Sequence, residues 1–416
     1  FVGITNQAIN NSASGEVVVE GGVITNGSLL PQEASSTFGS KAAFTSSAIL
    51  YESAVYDTTN DKIVIAYRDD GDSGKGKAVV GTVSGSSISF GSPVEFNSGA
   101  TGRLSAVFDA SAGKVVIGYQ DQGNSNYGTS VVGTVSGTSI SFGSEVVFES
   151  ASTNYPSLTY DTNASKTLFV YRDAGNGDYM TANVGTVSGT SISFGGASAL
   201  NNDSSANIVS AYDSTAQKHT VLFQNSDNSN RGDACVVTIV GTSMSVGSFT
   251  TGVVGNINRT AIAYDANANK SVIFFSDAAN SNIGKAMVGT ISGTTISFGS
   301  EVTFLSTQIQ GVNALYDPTT AAVFVFYKDV NNSNYGTAKG GIVSGTSISF
   351  GSATVFVTGN PGGIISSAKD PDQNKAVVAW TDYGSSQYGG AAVGTLSLGT
   401  PNFTIGSTYY VQDDGT

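Results

Sequence analysis

Asp109-Ala110-Ser111-Ala112-Gly113-Lys114-Val115-Val116-Ile117-Gly118-Tyr119-Gln120-Asp121 decides the fold, because its pattern returns at a fixed interval along the chain. The leading aspartate recurs as Asp57, Asp109, Asp161, Asp213, Asp265, Asp317 and Asp370, at spacings of 52 residues and, in the last case, 53. Ten residues after each comes an aromatic: Tyr67, Tyr119, Tyr171, Phe223, Phe275, Tyr327 or Trp380. Two residues later stands Asp69, Asp121, Asp173, Asn225, Asp277, Asp329 or Asp382.

Working outward through the second unit, alternation and turn residues predict strand A at Leu104–Phe108, B at Lys114–Tyr119, C at Thr129–Val135 and D at Ser139–Phe148. The intervening turns, Asp109–Gly113, Asp121–Gly128 and Ser136–Thr138, carry the Gly, Asn, Asp and Ser that tight connections favour. Four antiparallel strands per repeat of about 50 residues point to an all-β, seven-bladed β-propeller with four-stranded blades.

The seventh A-B-C set, within Ile364–Ser397, is not followed by the usual Ser-Ile-Ser-Phe-Gly-Ser strand. Its counterpart is upstream. Ser36-Thr37-Phe38-Gly39-Ser40-Lys41-Ala42-Ala43-Phe44 matches Ser141-Phe142-Gly143-Ser144-Glu145-Val146-Val147-Phe148 from the Phe-Gly-Ser core to the final Phe. Residues 36–44 are therefore expected to pair with 391–396 as the outer strand of the last blade, removing the open edges. The domain reading is a first part of a small flanking β module at 1–32, the propeller at 33–397, and the rest of the module at 398–416.

Composition agrees with this class and excludes several functions. Charged residues are 12% of the chain, against about 25% in an average soluble domain, and 52 glycines suit many tight turns. A net charge of −13, with 18 Lys and Arg dispersed along the chain, argues against a nucleic-acid partner. No apolar stretch of 18 residues is present, so no membrane insertion is expected. The lone Cys235 reads as a buried structural thiol, and the lone His219, beginning a B strand beside Lys218, is read as not catalytic. Because the chain begins at Phe1, it is read as part of a longer polypeptide.

A lysine follows the marker aspartate by five residues in six units: Lys62, Lys114, Lys166, Lys218, Lys270 and Lys375, with Ala322 the exception. Facing each other across the A–B hairpin, each such couple is expected to form a structural or solvated ion pair worth under about 1 kcal/mol.

In a propeller the A–B and C–D turns share one face, and the B–C turns and D–A connections the other. The first face repeats Ser-Gly-Thr-Ser-Ile-Ser-Phe almost verbatim, whereas the second varies, as in the D–A connections Asn97–Gly102, Ser150–Tyr155, Asn201–Ser205 and Val357–Gly363. A ligand is therefore expected on the variable face or at the adjoining mouth of the channel. The candidates are the B–C turn residues Asp121, Asn126 and Tyr127, Asp173 and Tyr179, Asp329, Asn334 and Tyr335, and Asp382 and Tyr388. The tyrosines would be platforms for sugar rings with amides as hydrogen-bonding partners. A second reading has Asp and Asn simply bonding their own backbone, and a third has their oxygens holding Ca²⁺, although no turn has the spacing of a known calcium loop.

Thr381-Asp382-Tyr383-Gly384 resembles the Asp-box of sialidase-like propellers, but an aromatic stands two places before Asp where that motif has Ser. Nothing in the order of the five arginines, Arg68, Arg103, Arg172, Arg231 and Arg259, specifies the cluster a sialidase needs. No Ser/His/Asp set, P-loop or paired-cysteine site is present, so the chain is not expected to be an enzyme or to need a cofactor. Arg231-Gly232-Asp233 is read as a chance match to an integrin ligand.

Phe1-Val-Gly-Ile-Thr5, Ser14-Gly-Glu-Val-Val-Val-Glu-Gly-Gly-Val23 and Ile405-Gly-Ser-Thr-Tyr-Tyr-Val-Gln-Asp-Asp-Gly415 share nothing with the repeat. They resemble a small β module of tail-fibre and other appendage proteins of tailed phages, notably phages of marine bacteria, interrupted here by the propeller. The resemblance implies a virion or extracellular location, a displayed head that binds a host-surface glycan or protein, and other virion structural proteins as partners. The alternative is a bacterial extracellular adhesin or surface-filament subunit with a lectin-like propeller.

Overall fold

The computed structural model describes residues 33–398 and two short strands, Val17–Val19 and Gly22–Ile24, which pair antiparallel. Apart from that hairpin and Leu398, the flanking module expected over 1–32 and 398–416 lies outside the described residues. Among the described residues no helix is long and apolar enough to cross a membrane.

The repeat folds as antiparallel sheets, numbered here in chain order of their B strands. In sheet 2, strand Lys114–Asp121 lies between the second half of Val94–Asp109, where Leu104 is opposite Tyr119, and Tyr127–Ser136, where Thr129 is opposite Tyr119. The outer edge is Ser139–Phe142 followed by the first half of Val146–Asp161. Val115 to Tyr119 are all buried, on both faces of the strand. That is why B strands read as continuous apolar runs: a sheet covered on both sides has no polar face.

Two expectations need correction. The outer strand is broken at Gly143, where an added Cβ would stand 1.8 Å from the carbonyl oxygen of Thr190 in the next sheet. Only glycine permits that approach, and Gly91, Gly195, Gly247 and Gly299 make the same contact in their units. The D–A connections, moreover, are not loops. Val94–Asp109, Val146–Asp161 and Ser198–Asp213 are each one strand of 16 residues that leaves the edge of one sheet and becomes the inner strand of the next. Only in sheet 7 is there an interruption, between Val357 and Ile365.

Seven clusters of buried residues lie between successive sheets: 1 and 2, 2 and 3, and onward to 6 and 7, with the last joining sheet 7 to sheet 1 through Phe44, Tyr67, Val377 and Val393. Each repeat aromatic is buried in one of these layers, Tyr67, Tyr119, Tyr171, Phe275, Tyr327 and Trp380 without measurable exposure. Tyr119 packs on Phe96 of the preceding sheet's outer strand at 5.2 Å between centroids, and Phe142 adds a third ring 5.7 Å from Phe96.

The seam uses these same contacts. Ala34–Phe38 pairs with Tyr388–Leu398, placing Ser36 opposite Leu396 and Phe38 opposite Gly394, and Ala42 of the next strand lies opposite Ala391. Phe44 then meets Tyr67 at 5.4 Å as Phe96 meets Tyr119, Phe38 meets Phe356 at 5.7 Å, and Gly39 takes the close approach to Ser86 that Gly143 takes to Thr190. The pairing expected of residues 36–44 is present strand for strand.

The marker aspartates differ from expectation. Asp57 and Lys62 are directly opposite, as are Asp109 and Lys114, yet no such couple forms an ion pair among the described residues. Asp57 Oδ1 instead accepts from the backbone N–H groups of Thr59 and Asn60 at 2.9 and 3.1 Å. Asp161, Asp213 and Asp265 hold their turns in the same way. Charge-assisted bonds to backbone donors inside a covered turn outweigh a solvated pair to a flexible lysine.

Candidate functional site

The aspartates singled out in the B–C turns face inward. Asp121, Asp173 and Asp382 each accept a backbone N–H two residues on, from Gly123, Gly175 and Gly384 at 3.0 Å, and Asp329 accepts from Asn332 at 3.2 Å. Asn126 and Asn334 take the left-handed conformation with φ of 62° and 60°, which asparagine tolerates. Tyr127, Tyr179, Tyr335 and Tyr388 are half-buried, each opening a C strand opposite its aspartate. They stand on sheets 2, 3, 6 and 7, one to a sheet. Asp382 lines a groove of about 450 Å³ between the outer strands of sheets 6 and 7, where Lys41 Nζ lies 2.5 Å from its Oδ2. Among the described residues no group of three or more His, Cys, Asp or Glu is placed to hold a metal ion.

A second set of residues converges where the inner strands begin. Six residues before the marker aspartate, seven in the last unit, stand Tyr51, Arg103, Tyr155, Asn207, Arg259, Gly311 and Gly363. All of them line one cavity of about 190 Å³, so every sheet contributes one residue to its wall. The backbone explains why they point there. In sheets 1 to 6 the ladder slips at this position, between Leu50 and Ser53, Thr101 and Leu104, and so on to Gln310 and Val312. A β-bulge of this kind re-aims a side chain out of the sheet. Tyr51, Tyr155, Asn207, Arg259 and Gly311 have φ between 47° and 56°. Such a conformation costs a bulky residue about 1 kcal/mol or more, so strain is held where glycine, used in two units, would avoid it.

The chemistry of the cavity is cationic and aromatic. Arg103 lies between two rings, its guanidinium carbon 4.3 Å from the centroid of Tyr155 and 5.5 Å from that of Tyr51. Neither Arg103 nor Arg259 has a hydrogen-bonding or ionic partner for its guanidinium among the described residues. Arg259 is exposed and leans toward Gly363, two sheets away, over the space left by Gly311. Lys328 is buried beside it, and burial together with the Arg259 charge pulls its ammonium below the ordinary lysine range. Glu52, 4% exposed, is the one acid lining the cavity among the described residues. Its Oε2 accepts from Thr381 Oγ1 at 3.0 Å, its Oε1 has no partner, and burial pushes its pKa up to about 8.

Sequence reasoning placed ligands on this face or at the channel mouth, yet chose the turn tyrosines and passed over this column. A signal was present: one position of the repeat, just before each predicted inner strand, varies from tyrosine and arginine to glycine. It was hidden because these segments read as loops, where such variation is ordinary.

The other singled-out residues are structural. His219 is fully buried, its Nδ1 2.8 Å from Thr159 Oγ1 and its Nε2 3.4 Å from Asp161 Oδ2, and burial holds its pKa below the usual value. Cys235 is buried and its thiol is pushed up to about 12. Arg231 pairs with Asp233 at 2.8 Å within strand Arg231–Val240, so Arg-Gly-Asp is folded into a sheet.

No protein-family model matches the chain, and no curated protein matches its sequence. Solved structures do resemble it. The BP39L lectin from Burkholderia pseudomallei superposes with a TM-score of 0.62 at 10% identity, over 85% of this chain and 98% of that one. A protein of unknown function from Dyadobacter fermentans gives 0.54 at 11% identity, over 87% of this chain and 99% of that one. At such identities the likeness is one of fold: an all-β body of repeated four-stranded antiparallel units, shared with a lectin.

Proposed function

We propose that this chain is a seven-bladed β-propeller, closed by its N-terminal strand, that acts as the non-enzymatic, carbohydrate-binding head of an extracellular appendage of the phage tail-fibre kind. The observation that carries the binding role is the contrast between faces. A backbone repeated almost without change presents, on one face only, side chains that differ from unit to unit and include half-buried tyrosines and amides. Sugar rings pack their C–H faces on aromatic rings and exchange hydrogen bonds with amides, and the lectin likeness supports that choice of ligand.

The appendage role is supported by the flanking motifs and by the seam. Ala34 lies opposite Leu398, so the two tails leave the body side by side, as insertion into a loop of a host module requires. Such a head would meet a host-surface glycan or protein while its flanks join other virion structural proteins.

A glycan array probed with the full chain tests the binding role. The expected result is retention of a subset of glycans, weakened about tenfold or more by Tyr127→Ala or Tyr179→Ala if the turn tyrosines are the platforms. Incubating the retained glycan with the chain should release no product; release would contradict the non-enzymatic role. Immunogold labelling of virions carrying this chain, with label at the fibre tips, tests the location.

A further inference from the structure

We propose that the central cavity binds the carboxylate of an acidic sugar, with Arg259 and Arg103 as its cationic partners and the buried Glu52 as a hydrogen-bonding partner beside them. The inference rests on the carbohydrate reading and narrows it to a ligand class and to residues other than the turn tyrosines.

Three independent features converge on an anion. The first is where the arginines fall. In a chain of net charge −13 with five arginines among 416 residues, two occupy the seven equivalent positions at the cavity wall. The second is that their charge is uncompensated. The other three arginines each pair with an aspartate, whereas Arg103 and Arg259 have none among the described residues, and Lys328 adds a further buried cation beside Arg259. An arginine fork left open in a cavity suits a carboxylate, which accepts two parallel N–H bonds.

The third feature is Glu52. It is more than nine-tenths buried, lines the cavity and leaves Oε1 without a partner. A buried polar atom without a partner is costly unless a ligand or water completes it. Held neutral by burial, the carboxyl can donate to an anion that an ionised one would repel. The remaining wall fits a sugar ring. Tyr51 and Tyr155 fix Arg103 between them, and the absent side chains at Gly311 and Gly363 leave room on the far side. The volume of about 190 Å³ suits one terminal residue of a glycan, with the chain leading out through the mouth.

Isothermal titration of the full chain with matched pairs tests this: glucuronate against glucose, galacturonate against galactose, and N-acetylneuraminate beside them. The acid of at least one pair should bind ten times or more tighter than its neutral partner. That preference should weaken as salt rises from 50 to 500 mM and be lost in Arg259→Asn, which gives unit 5 the residue unit 4 carries at Asn207. Circular dichroism and melting of the variant confirm that it folds. Equal binding of acid and neutral sugars, unchanged in Arg259→Asn, overturns this inference and leaves the carbohydrate reading standing. Binding of no sugar in the panel also overturns it, and when the glycan array is blank as well the carbohydrate reading falls with it.

Discussion

Two columns of the same repeat, 16 residues apart and 17 in the last unit, behave in opposite ways. The column of Tyr67, Tyr119, Tyr171, Phe223, Phe275, Tyr327 and Trp380 keeps its chemistry and is buried between sheets. The column of Tyr51, Arg103, Tyr155, Asn207, Arg259, Gly311 and Gly363 keeps its place at the cavity wall and changes its chemistry completely. Packing explains the first, since a layer between sheets admits only a ring of about one size. The second has no single packing explanation: the residues differ in volume from glycine to tyrosine around one cavity, and only some of them, Arg103 with Tyr51 and Tyr155, pack on one another. Uniform side chains in a repeat mark what holds the body together, and varied side chains on a uniform backbone mark what the body presents.

The largest effect expected from breaking this contrast lies in the aromatic layer. Phe44→Ala should destabilise the chain by about 3–5 kcal/mol, as Phe96→Ala should, because each ring is buried against its repeat tyrosine. Chemical denaturation of both variants checks this. A cost at Phe44 well below that at Phe96 would mean that the joint between the chain's two ends is not packed like the other layers.

The next effect is set by pH and concerns the cavity column. Glu52 is neutral in the folded chain up to about pH 8, whereas the unfolded chain ionises near its ordinary value of 4.5. Between these values the unfolded state holds fewer protons, so stability falls as pH rises across the window and levels off above it. Glu52→Gln keeps the shape and removes the titration. The variant should gain on the native chain by on the order of 3 kcal/mol between pH 4.5 and pH 8, read from denaturation midpoints at the two pH values. A gap that does not change with pH would show that the carboxyl is not held neutral.

A smaller effect separates the partners of the A–B hairpin. Asp57→Ala removes acceptors for the backbone N–H groups of Thr59 and Asn60 and should cost about 1–2 kcal/mol, while Lys62→Ala should cost under about 0.5 kcal/mol. Equal losses would restore the ion pair that the sequence suggested.

These cases show what could be read in the residues alone. The repeat of antiparallel units, the sheet order and the pairing of 36–44 with 391–396 were legible because each is a matter of register, and the 52-residue period fixes register directly. The direction of a side chain at an irregular point was not. Alternation places a residue on one face or the other of a flat strand, and it has no term for a bulge, so it gives no direction to Arg103, just before the predicted strand A, or to Arg259, while the regular turns around Tyr127 and Tyr335 stand out. The aspartates misled for a related reason. Asp57 and Lys62 are opposite each other as the spacing requires, but opposition on a ladder does not decide whether a carboxylate turns toward a neighbour or into its own turn.

The smallest effect is the most discriminating for function. Arg259 has a φ of 48°, a conformation that costs a long side chain about 1 kcal/mol and that asparagine, present with φ 47° at the equivalent Asn207, tolerates. Arg259 is exposed and has no partner for its guanidinium among the described residues, so Arg259→Asn removes no packing. The substitution should therefore stabilise the chain by about 0.5–1 kcal/mol while it abolishes the preference for acidic sugars. An arginine at a position that strains its backbone is explained by what it contacts outside the fold. If Arg259→Asn instead lowers stability, the arginine is held by an interaction within the chain, and its place in the varied column reflects packing after all.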